Sequence, residues 1–156
     1  LLKIDILKIL MVCLGNICRS PLAEGILSAK IIEQGLDWQV DSAGTGSWHI
    51  GEPPHKGSIQ IAQDRGIDIT NQRARQFSAT DFHHYDLILT MDSENYANIV
   101  AMAPDDNAKN KVELMLNYSY PQQNRAVPDP YFTGGFDEVF NLLEEACTNL
   151  LNKHKD

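Results

Sequence analysis

The chain of 156 residues predicts an α/β fold in which a parallel sheet is covered by helices on both faces. Two observations predict it. Short, almost wholly apolar runs of strand length recur along the chain, and segments of helical period fall between them. Glycine and proline punctuate these exchanges, with no internal repeat, low-complexity tract or linker, so residues 1–156 read as one domain. Strand–helix–strand units of this kind imply right-handed crossovers.

Ile9 to Cys13 is an apolar run that stops at Gly15, which suggests a buried strand. Ser20 to Gln34 reads as a helix, with Ser20 as N-cap, Pro21 in the first turn and Gly35 as the stop. Leu22, Ala23, Ile26, Leu27 and Ile31 share one face of it. Trp38 to Ser42 predicts a second strand, closed by Gly44 and Gly46. Pro53 and Pro54 lead into a helix from His55 to Arg65, ended by Gly66. Asp86 to Met91 predicts a third strand, Ser93 to Ala103 a helix halted before Pro104, and Lys111 to Leu116 a fourth strand. Asn117 to Gly135 is a long proline-marked loop, and unstructured loops of such length are commonly functional. Phe136 to Leu151 has the clearest helical period, and Cys147 lies on its apolar stripe.

Composition narrows the function classes. Apolar residues make up 43% of the chain, enough for a core that needs no disulfide staples. A net charge of −8 argues against nucleic acid or an anionic membrane as the main partner, although a locally positive site on an acidic body can still take an anionic substrate. Three cysteines, Cys13, Cys18 and Cys147, do not form a disulfide framework, so a reducing, cytoplasmic compartment is expected. No run approaches the roughly 18 apolar residues of a membrane span. The first residues lack a signal-peptide layout, and residues 1–7 are set apart as an N-terminal extension.

The chemistry concentrates in VCLGNICRSP, residues 12–21, which leaves the first strand and enters the first helix. Ligands of doubly wound sheets bind outside the carboxyl ends of the strands. Five residues separate Cys13 from Arg19: Leu14, Gly15, Asn16, Ile17 and Cys18. A loop of this size can curl its amides toward one centre, and the helix N-terminus adds partial positive charge there. The product is a socket for a tetrahedral oxyanion. Cys13 at its base is the candidate nucleophile, competent as a thiolate. Arg19 can hold two phosphoryl oxygens at once, and Ser20 can donate its hydroxyl to the sulfur.

This stretch resembles the phosphate-binding loop of the low-molecular-weight protein tyrosine phosphatases. Asp129-Pro130-Tyr131 and Asp41-Ser42-Ala43-Gly44-Thr45 also resemble that family, so the likeness runs from Lys8 to Leu151. The resemblance implies a flavodoxin-like four-stranded parallel sheet of order 2-1-3-4. It implies a reaction without metal or other cofactor, through a cysteinyl phosphate, with Asp129 as general acid and then general base. It implies that Asn16 braces the loop through Ser42, and that Trp48, Tyr131 and Leu14 wall a pocket for an aromatic ring, with Phe132 beside them. Where some relatives carry a supporting histidine, this chain has Gln72, and the second tyrosine of many relatives is Phe132 here. By the same resemblance Cys18 traps oxidised Cys13 as a reversible disulfide, and the substrates are phosphotyrosine-bearing proteins, in bacterial relatives often tyrosine kinases.

Four rival readings have weaker support or none. Arsenate reductase on the same fold needs further mobile cysteines, and Cys147 sits on a core stripe. A binding module for phosphate or phosphotyrosine without turnover would be expected to lack the thiol or the acid. A nucleotide-binding phosphate loop is excluded by the absence of G-x-x-x-x-G-K-[ST]. Cys13 and Cys18 have no second ligand pair at zinc spacing, and His83-His84 reads as a solvated helix end or loop.

Overall fold

The computed structural model describes residues 6–155, so most of the N-terminal extension lies outside the described residues. Four parallel strands form one sheet of order β2-β1-β3-β4: β1 (Lys8–Cys13), β2 (Gln39–Gly44), β3 (Leu87–Thr90) and β4 (Val112–Leu114). Among the described residues, seven α-helices accompany them in chain order: α1 (Arg19–Glu33), α2 (Lys56–Asp64), α3 (Asp81–His84), α4 (Ser93–Val100), α5 (Asp106–Lys109), α6 (Pro130–Thr133) and α7 (Phe136–His154).

The central strand shows why the sheet needs two covers. Ile9 to Val12 are all fully buried, and their side chains alternate between faces as the strand pleat requires. Ile9 and Met11 join a core with Leu22 and Ile26 of α1 and Phe140, Leu143 and Leu150 of α7. Leu10 and Val12 join the opposite core with Phe82 of α3, Ile99 of α4 and Ala108 of α5. Both cores meet at β1, which fixes the strand whose carboxyl end carries the Cys13 loop.

Several boundaries differ from the sequence expectation, each for a local reason. α1 begins at Arg19, with Cys18 in the N-cap position and no side-chain cap bond. Ser20 is therefore not the cap: it lies fully buried inside the first turn, where Cys13 and Asn16 engage its hydroxyl. β4 is three residues rather than six, because Met115 to Tyr118 tighten into a 3-10 turn that buries Met115 and Leu116 under α7. An apolar run alone does not separate these two ways of burying it. α4 starts at Ser93 as expected, after Asp92, whose side chain accepts from the Asn95 amide, but it ends at Val100 rather than Ala103. The 117–135 loop is interrupted by α6, which Asp129 caps.

Leu143 is fully buried at the centre of the α7 packing. Leu143→Ala is expected to lower unfolding free energy by about 2–5 kcal/mol, read as a shifted urea midpoint at unchanged slope.

Candidate active site

The loop after β1 is shaped by what its carbonyls do. The Cys13 and Leu14 carbonyls accept from Thr45 and Gly46 amides, both at 2.9 Å, and the Ile17 and Cys18 carbonyls accept from His55 and Leu22. Among the described residues, the amides of residues 14–18 donate to no backbone acceptor. Carbonyls turned to neighbours leave the amides as a nest of donors, joined by the uncapped N-terminus of α1. Gly44 permits the close approach: a Cβ there would lie 2.8 Å from the Leu14 carbonyl oxygen and 3.1 Å from the Asn16 amide nitrogen.

Asn16 carries the sharpest bend, with φ of 57° in the left-handed region that asparagine tolerates better than most residues. Its buried side chain is tied on both sides. Nδ2 donates to Ser20 Oγ at 2.8 Å and to Ser42 Oγ at 3.0 Å, while Oδ1 accepts from the Arg75 amide at 2.9 Å. Because Asn16 donates into Ser20, the Ser20 proton is left for the Cys13 sulfur, 3.0 Å away. Ser42 in turn donates to Glu24 Oε1 at 2.6 Å. Burial pushes the Glu24 carboxyl up to about 7; the Ser42 bond and Arg75 oppose this, and Asp41 adds to it. Gln72 takes no part in this chain and donates instead to the Pro21 carbonyl.

Arg19 is 3% exposed and stands on the other side of the loop. Its Nη1 donates to Asp92 Oδ2 at 2.8 Å and to the Val127 carbonyl at 3.0 Å. Its Nη2 lies 3.6 Å from Asp129 Oδ2. The other Asp129 oxygen accepts from the Tyr131 amide. One guanidinium thus stands between the end of β3 and the loop before α6, and brings a carboxyl to the rim of the socket.

The residues singled out in the sequence converge on one cavity of about 250 Å³. Cys13, Cys18, Arg19 and Asp129 reach it, with Leu14, Gly15, Ile17, Trp48, Tyr131 and Phe132 around them. Asn16, Ser20 and Ser42 stand behind the loop as supports. Trp48 is 69% exposed, and its ring lies against Gly46, where a Cβ would come within 2.0 Å. Phe132 is 75% exposed and meets Tyr131 edge-on at 5.1 Å. Cys18 is a buried thiol pushed up to about 12, first by burial and then by the Cys13 and Asp129 charges. Cys147 is fully buried in the core formed by α1 and α7.

Four participants escaped sequence reasoning. Asp92, the partner of Arg19, was legible only as an acid at a strand end before a helix. His49, which lines the cavity, carried no signal in its surroundings. Glu24 and Arg75 look like ordinary polar residues of a helix and a loop.

With this geometry in view, the comparisons are specific. Residues 8–156 match the family model of the low molecular weight phosphotyrosine protein phosphatases. The chain belongs to that family. The Synechocystis sp. protein slr0328 is 47% identical over 149 residues, covering 93% of this chain and 94% of that protein. The crystal structure of YfkJ from Bacillus subtilis has a TM-score of 0.91 at 40% identity, with 97% and 96% of the two chains covered. The structure of DARP, a Drosophila arginine phosphatase, has a TM-score of 0.89 at 35% identity, with 96% and 99% covered. The sheet order of this chain, β2-β1-β3-β4, is the one the resemblance implies.

The Glu24 position gives a pH test. A carboxyl raised from 4.5 to about 7 binds a proton more tightly in the folded state, so its contribution to stability is lost as pH rises from about 4.5 through about 7. Glu24→Gln removes this loss. Comparing pH 8 with pH 5, the wild type should lose on the order of 2 kcal/mol relative to the variant in urea unfolding. Parallel pH profiles would show that Glu24 ionises as it does in the unfolded chain.

Proposed function

We propose that this protein hydrolyses phosphotyrosine on proteins through a phosphocysteine intermediate. One observation carries the reading: Cys13, Arg19 and Asp129 share a single cavity with a loop whose amides are free to bind an oxyanion. The phosphate sits in the amide nest, with Arg19 holding its equatorial oxygens. The Cys13 thiolate attacks phosphorus, forming an S–P bond as the P–O bond to the tyrosine oxygen breaks. Asp129, protonated at this step, gives its proton to the leaving phenolate. The resulting Asp129 carboxylate then takes a proton from water as that water attacks phosphorus. The S–P bond breaks, phosphate departs, and the returning sulfur anion accepts the Ser20 hydrogen bond.

Trp48, Tyr131 and Leu14 form flat apolar walls suited to an aryl group, with Phe132 beside them. Cys18, neutral and buried, is read as the thiol that captures an oxidised Cys13. Three free cysteines suit a reducing cytoplasm. The substrates are phosphotyrosine-bearing proteins, with tyrosine kinases among them.

Cys13→Ser should abolish p-nitrophenyl phosphate turnover. Asp129→Asn should slow hydrolysis of phosphotyrosine peptides by about 10²–10⁴ while costing less on p-nitrophenyl phosphate, whose phenolate leaves more readily. An equal loss on both substrates would remove Asp129 from the acid role. Faster turnover of phosphoarginine than of phosphotyrosine peptides would overturn the substrate assignment.

A further inference from the structure

A second groove of about 520 Å³ adjoins the cavity at Cys13. Ile17, His49 and Tyr131 are walls of both. Beyond them it runs along Glu52, Pro53 and Pro54 to Lys56 and Ile59. Because the two share these walls, a peptide whose phosphotyrosine fills the first cavity can extend along the second.

The His55 side chain there is held by its neighbours. The His55 ring lies edge-on to Tyr131 at 5.8 Å and stacks on Phe136 at 5.2 Å. His55 Nδ1 accepts from the Gly57 amide, so a neutral ring carries its proton on Nε2 as a donor. The Glu52 carboxylate accepts from His49 Nδ1 at 3.1 Å, beside the wall shared with the cavity, and keeps its negative charge there, so the positive charge of the groove is that of Lys56. Lys56 is exposed at the start of α2.

Resting on the phosphotyrosine reading above, we propose that this groove receives the polypeptide flanking the phosphotyrosine, and that Lys56, with the His55 donor, selects an acidic residue there. The apolar Pro53, Ile59 and Ile17 surfaces take the neighbouring aliphatic atoms. The body of the protein carries net negative charge. A lysine beside the site therefore distinguishes acidic substrates that the remaining surface repels.

The test compares kcat/KM for two phosphotyrosine peptides of equal length, one flanked by glutamates and one by lysines, with p-nitrophenyl phosphate alongside. The wild type should prefer the acidic peptide, and high salt should shrink that preference. Lys56→Glu should lower kcat/KM for the acidic peptide by about two- to tenfold and raise it for the basic one. Lys56→Gln should fall between, and turnover of p-nitrophenyl phosphate should be unchanged in both variants. Equal changes on both peptides, or none, would overturn the groove while leaving the phosphatase reading intact. Wild-type inactivity on p-nitrophenyl phosphate would instead sink the phosphatase reading, and the groove with it.

Discussion

The side-chain amide of Asn16 is the constraint on which the site depends. It holds a left-handed backbone turn at the middle of the loop and uses both its donors and its acceptor to do so. The consequence reaches in two directions. Toward the cavity, it fills the acceptor side of Ser20 and leaves that hydroxyl's proton for Cys13. Away from the cavity, it meets Ser42 from β2, whose own proton is committed to Glu24 on α1. A loop bent this sharply would otherwise relax, and its amides would lose their common focus.

Charge is distributed around that focus with one buried cation. Arg19 reaches two carboxylates from different parts of the chain, Asp92 after β3 and Asp129 before α6. Asp92 ties the guanidinium to the sheet while its other oxygen caps α4. Burying an arginine is costly unless partners meet it, and here they also aim it. Asp129 is held less tightly, at 3.6 Å from the guanidinium against 2.8 Å for Asp92. A tightly held guanidinium beside a more loosely held carboxyl suits the proposed mechanism, in which the phosphoryl group stays put and a proton moves twice.

The family motif made the loop legible because its chemistry is local. Cys13, Arg19 and the amides between them lie within seven residues, and the flanking strand and helix announce themselves by apolar period. Asp129 was legible only through resemblance to a family, since Asp-Pro is also a common turn. Ser20 shows the limit of local reasoning: its position suggests a helix cap, yet the tertiary structure gives its hydroxyl to the loop. β4 shows another, because the buried run through Leu116 satisfies the core as a turn as readily as it would as a strand.

The sequence by itself determined the alternation of strands and helices, the oxyanion loop and its thiol, because these rest on contacts between residues near in the chain. Only the tertiary structure decided that Asp92 steadies Arg19, that Glu24 anchors the brace and that His49 joins two cavities. The Arg19–Asp92 and Glu24–Ser42 pairs unite residues 73 and 18 positions apart, and nothing in local spacing or propensity encodes them. They exist because the sheet order brings the carboxyl ends of β1, β2 and β3 to one edge.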